Sequence, residues 1–141
     1  MHSFNPKYAK TYGLQAAVIL QHIIWWVLHN EAKGINKRDG KYWTFNSVRK
    51  LTEYFPFLTQ KQVRTALLKL EARGAIVTGN YNKFKPDRTK WYSVHPELML
   101  DIKKDKTYKI WKESHLPKRA DQYQFENNNI NKIELKREDI L

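Results

Sequence analysis

Residues 59–94 read TQKQVRTALLKLEARGAIVTGNYNKFKPDRTKWYSV, and this stretch decides the fold. Thr59 is suited to cap a helix. Behind it Val63, Ala66, Leu67 and Leu70 recur at i, i+3, i+4 and i+7, which puts all four on one face. Arg73-Gly74 supplies a residue fit for the left-handed turn that stops a helix. A short strand is expected over 75–78, a polar basic loop over 79–90 and an aromatic strand over 91–94. The helix face opposite the apolar stripe carries Gln60, Lys61, Arg64, Thr65 and Lys69. The loop adds Asn80, Asn82, Lys83, Lys85, Arg88 and Lys90. Helix, strand, basic loop, strand is the order of a winged helix-turn-helix with a small antiparallel β-hairpin wing. The expected fold is therefore α+β and mostly helical.

Upstream, residues 8–33 read as one long helix, or as a short helix leading into a longer one with a hinge near Gly13. Leu14, Ala17, Val18, Leu20, Ile24, Trp25, Val27 and Leu28 cover more than half its circumference, so it must be buried on several sides. Residues 36–40 form a turn-rich loop, with Asp39-Gly40 as a tight-turn signal. An aromatic strand is expected over 42–45. Asn46 or Ser47 then caps a second helix with Val48, Leu51 and Tyr54 inward, and Phe55-Pro56-Phe57-Leu58 breaks it. A last helical turn is expected over 96–102. The winged-helix domain is thus placed at 1–102. Residues 103–141 are charged and amide-rich, with Asn127, Asn128 and Asn129 in a row, and read as extended unless a partner orders them. Tyr108, Ile110, Trp111 and Leu116 form the one apolar cluster in this tail.

Composition narrows the function. The chain has 141 residues, 26 Lys and Arg against 14 Asp and Glu, and a net charge of +12. Such an excess favours polyanionic partners, nucleic acid first. The absence of cysteine excludes disulfides, thiolate metal sites and cysteine catalysis, and makes the cytoplasm the natural location. No apolar core follows the start MHSFNPKYAK, so no secretory leader is expected. The longest apolar run, 16–28, is interrupted by Gln21 and His22 and is too short for a membrane span. His22 and His29 have no carboxylate partners nearby in sequence, no phosphate-binding glycine loop occurs, and the acidic residues are scattered. Neither an enzyme nor a metal or cofactor is expected.

The segments GLQAAVILQHIIWWVLHN, DGKYWTFNS, FPFLTQKQVRTALLKLEARGAIVTGNYNK and DRTKWYSV together resemble the amino-terminal winged-helix domain of phage and plasmid replication-initiation proteins, a domain related to that of the primosomal protein DnaD. The likeness covers residues 5–94. It implies a domain that binds double-stranded DNA at a replication origin and often self-associates. After Val94 the chain departs from the pattern, with no match to a second helical domain. A shortened relative would be an origin-binding accessory or a regulator.

In the candidate DNA surface, Gln60, Lys61, Arg64 and Thr65 would enter the major groove, where Arg pairs with guanine and Gln with adenine. The loop residues would hold phosphate or the minor groove. Asp87-Arg88 is read either as a local ion pair or as part of that contact. Surplus apolar surface on the first long helix points to a homodimer with Ile23 or Trp26 at the contact, or to a cover supplied by the tail. The alternative function is a protein-interaction module, such as a phage inhibitor or regulator of a host complex, with the tail as the route to a replication or host protein.

Overall fold

The computed structural model describes residues 4–115. Over these the chain is α+β and mostly helical, with six helices and two small antiparallel sheets. The described residues fall into two compact units, the first ending at Leu100 and the second beginning at Asp101.

The first unit opens with α1 (Pro6–Tyr12). The Asn5 side chain accepts from the Lys7 N–H at 2.9 Å, and Pro6 stands at the first helical position, where an amide N–H has no partner to lose. Gly13 then interrupts the helix at φ 90, ψ 158, a conformation open to glycine, and the chain restarts as α2 (Leu14–Lys33). Of the two arrangements open in the sequence, the hinged pair is the one that forms. α2 is the spine of the core, with Ala17, Ile19, Leu20, Ile23, Ile24 and Val27 buried. Ile23 is only 1% exposed within a single chain. It is therefore not available as a contact between copies, and the expectation that it lies at a dimer interface is corrected. Of the apolar side chains of α2, Leu14 at its first turn is 58% exposed, against the expectation that it joins the covered face, Trp25 is 42% exposed and Trp26 is half-buried.

After α2 the chain makes a hairpin, β1 (Lys37–Arg38) and β2 (Lys41–Tyr42), around Asp39 and Gly40 at φ 52 and 74. Two successive positive φ values define the two-residue turn that suits a twisted hairpin. The single strand expected over 42–45 is divided. β2 pairs with β1, whereas β3 (Thr44–Phe45) leaves for the other sheet. Trp43 is the pivot between them. Its N–H donates to Asn36 O, its indole Nε1 donates to Arg38 O at 2.9 Å, and its carbonyl accepts from Asn30 Nδ2 at 2.8 Å.

Ser47 caps α3 (Val48–Tyr54) through the Lys50 N–H. Phe55, fully buried, plugs the connection to α4 (Gln60–Ala72). α4 starts with a capping box, in which Thr59 Oγ1 accepts from Gln62 N–H and Gln62 Oε1 accepts from Thr59 N–H. Its Val63, Ala66, Leu67 and Leu70 are buried and it packs on α2. Gly74, at φ 74, closes the helix while Ala75 N–H donates to Leu70 O. Arg73 Nη1 donates to Thr11 O at 2.6 Å and ties this end of α4 to α1. β4 (Ile76–Gly79) and β5 (Trp91–Val94) complete a sheet of order β3–β5–β4, all antiparallel. β5 is central and all four of its residues are buried.

α5 (Pro96–Lys104) follows, then α6 (Lys106–His115) in the second unit. Here the expectation of an extended tail is corrected as far as the described residues go. The Asp105 carboxylate accepts from Thr107 N–H at 2.8 Å, and Tyr108 and Trp111, three apart, stack with their rings 6.2 Å apart. A capping acid followed by a spaced aromatic pair supports a helix that the charged composition obscures. Residues 116–141, including Leu116 and the asparagine run, lie outside the described residues. No helix among the described residues is long and apolar enough to cross a membrane.

Asn30 is fully buried and holds the end of α2 to the Trp43 pivot. Asn30→Ala is expected to lower unfolding free energy by about 1–3 kcal/mol, since it strands a buried carbonyl. The check is a shift of the urea midpoint at constant m value. An unshifted midpoint would show that this bond carries no weight.

Candidate nucleic-acid interface

The residues singled out in sequence fall on two elements of the first unit, α4 and the loop over 80–90. The two differ in how they are held. α4 is fixed by its buried stripe. The two arms of the loop are joined by one side chain, Asn82. Its Nδ2 donates to Asn80 Oδ1 at 2.8 Å, to Asp87 O at 3.1 Å and to Thr89 O at 2.8 Å, and its Oδ1 accepts from Trp91 Nε1 at 2.8 Å. Its backbone N–H also donates to Asn80 Oδ1 at 3.0 Å. Asn82 therefore spans both arms of the loop and anchors them to β5. An amide so fully engaged builds the loop and is not offered to a ligand, and the expected role of Asn82 in contacting DNA is corrected. Asn80 Oδ1 is spent on the same network.

Asp87 does not pair with Arg88 among the described residues. Its Oδ1 accepts from Thr89 N–H at 2.9 Å, and that hydrogen bond holds its carboxyl below the ordinary range.

Beneath the loop the β1–β2 hairpin covers Trp91. The Arg38 guanidinium lies 5.5 Å over the Trp91 ring, Phe45 stacks on the same ring at 4.6 Å, and Tyr81 meets it edge-on at 5.4 Å. The Tyr81 hydroxyl donates to the Asp39 carboxylate, which raises the Tyr81 pKa. Arg38 thus serves as a clamp on an aromatic ring.

On the other side of the sheet, α4, the start of α3 and the return arm of the loop enclose a groove of about 430 Å³. Arg64, Leu68, Arg88 and Lys90 line it, with Tyr92 among the lining residues. Two carboxylates also line it, and both are engaged: Glu71 accepts from the Thr78 hydroxyl, and Asp87 from Thr89. The Tyr92 hydroxyl is pushed up to about 12, first by burial and then by the Glu71 charge, so it stays neutral.

Gln60, Lys61, Arg64 and Thr65 are all exposed along the first two turns of α4. Lys83 and Lys85 are exposed on either side of Phe84. Arg64 lines the same groove as Arg88 and Lys90. Lys69 does not join them. Its Nζ lies 3.5 Å from where a Cβ on Gly13 would sit, at the α1–α2 junction. Five residues of helix turn the chain by about 140°, so Lys69 cannot share the Arg64 flank.

On α4 and the loop, two exposed apolar residues escaped the sequence reading: Leu68, 53% exposed at the groove, and Phe84, 70% exposed. Leu68 had a visible signal, because it falls off the periodic stripe that buries the other two leucines of this helix. The basic hairpin residues Lys37, Arg38 and Lys41 were also missed, since two-residue strands have no periodicity to read.

Among the described residues no group of three His, Asp or Glu side chains is placed to hold a metal ion. No protein-family model matches this chain, and neither a curated protein nor a solved structure matches it.

The role given to Asn82 has a direct check. Asn82→Ala is expected to leave the core intact and loosen the loop, seen as faster proteolytic cutting within 83–90 at an unchanged far-ultraviolet spectrum. Cutting at the parent rate would show that the loop does not depend on this amide.

Proposed function

We propose that this chain is a winged-helix DNA-binding protein that takes duplex DNA with α4 in the major groove and the 80–90 loop as its wing. The observation that carries this reading is the groove lined jointly by Arg64 of α4 and by Arg88 and Lys90 of the loop, whose two lining carboxylates, Glu71 and Asp87, each accept a hydrogen bond within the chain. It is supported by the order of elements, by the β3–β5–β4 sheet and by the net charge of +12. The resemblance of residues 5–94 to replication-initiation domains gives the role its direction, as an origin-binding accessory in the cytoplasm. In this arrangement Gln60, Lys61, Arg64 and Thr65 face base edges, and Lys83, Lys85, Arg88 and Lys90 hold phosphates.

A second reading, a protein-interaction module, is favoured by a different observation. Trp25 and Phe57 are exposed at the ends of a relay of rings through Trp26, His22 and Phe55. Aromatic side chains are enriched at protein interfaces. Affinity for random duplex at low salt separates the two, since phosphate contacts give binding that weakens steeply with salt through counterion release.

Lys61→Ala/Arg64→Ala is expected to weaken duplex binding by about 2 kcal/mol, within the ~1–3 kcal/mol of a good base contact. Undiminished affinity in a folded variant would take α4 out of the interface. Neutralising Lys83 and Lys85 together is expected to lower affinity for all sequences alike and to make the salt slope shallower by about 2. A changed sequence preference at constant slope would mean that the loop reads bases.

A further inference from the structure

Phe84 is the most exposed of the large apolar side chains described, at 70%. It stands between Lys83 and Lys85, both exposed. The loop that carries it is held along its length. Asp87 N–H donates to Phe84 O at 2.9 Å and closes the tip, Pro86 fixes one backbone angle within it, and Asn82 joins its two arms. A mobile loop would expose a ring by default. This one holds the ring outward against the gain that burial would bring. The one carboxylate within residues 80–90, that of Asp87, accepts from Thr89 N–H. The tip is therefore an apolar, planar group framed by two cations, which is the complement of a base step framed by phosphates.

We infer that Phe84 is a wedge that enters a base step of the bound duplex from the minor groove, with Lys83 and Lys85 on the flanking phosphates. Apolar side chains inserted in this way unstack the step and kink the duplex. This rests on the reading of the chain as a duplex-DNA binder, and it assigns the loop a second task, since lysines alone would position the protein without deforming the DNA.

The test uses the full chain and a duplex carrying 2-aminopurine at successive positions, a base whose fluorescence rises when it unstacks. Binding of the parent protein is expected to raise the signal. Phe84→Leu, which keeps an apolar wedge, is expected to retain the rise. Phe84→Ala is expected to lose it and to bind about 5-fold more weakly, the low end of what an aromatic–base stack contributes, while the salt slope stays constant because both lysines remain. Duplex binding with no fluorescence rise, or a rise that survives in Phe84→Ala, would overturn the wedge and leave the DNA-binding reading standing. Failure of the parent protein to bind duplex at low salt would overturn both.

Discussion

The hydrogen bond from Trp91 Nε1 to Asn82 Oδ1 is the point on which the basic loop depends. It joins a residue of the central strand to the side chain that holds both arms of the loop. Buried and partly buried polar groups are costly unless paired, so this bond specifies the loop as well as stabilising it. Around the same indole, Phe45, Tyr81 and Arg38 come from three further segments. The ring is thus shared by the β1–β2 hairpin, β3, the loop and β5. A loop of 11 residues carrying four cations would otherwise spread to lower its own repulsion; here it is drawn into one shape.

The helix beside it is placed by ordinary means. The buried stripe of α4 fixes its rotation on α2, the capping box fixes its start, and Gly74 with Arg73 fixes its end. Rotation is the property that matters for a reading face. With Val63, Ala66, Leu67 and Leu70 inward, Lys61 and Thr65 point away from the core and Arg64 turns toward the loop. The same rotation carries Lys69 away to Gly13. Positive charge on a helix is therefore not equivalent to positive charge on one surface.

What the sequence makes legible follows from how local each cause is. The α4 stripe, the Gly74 stop and the strand over 91–94 rest on neighbours within one turn or one strand and were readable locally, while at Gly13 the sequence left a continuous helix and a hinged pair both open. The division of the strand over 42–45 was not, because Trp43 turns on acceptors at Asn36 and Arg38 and a donor at Asn30. Asn82 read as a polar loop residue, since its acceptors at Asp87 and Thr89 come together only once the loop has closed. Ile23 and Trp25 lie two apart on one apolar helix, and hydrophobicity alone does not say which is covered; packing by the other helices and the sheet decides it. The helix over 106–115 was hidden by the charged composition around it.

The central claim is that α4 and the 80–90 loop act as one DNA surface. The most direct measurement is a map of backbone amide chemical shifts of the full chain as random duplex is added at low salt. The account predicts changes concentrated at residues 60–68 of α4 and 80–90 of the loop, with the exposed side of α2 around Trp25 unaffected. Changes confined to that side of α2, or none at either α4 or the loop while duplex binds, would contradict it.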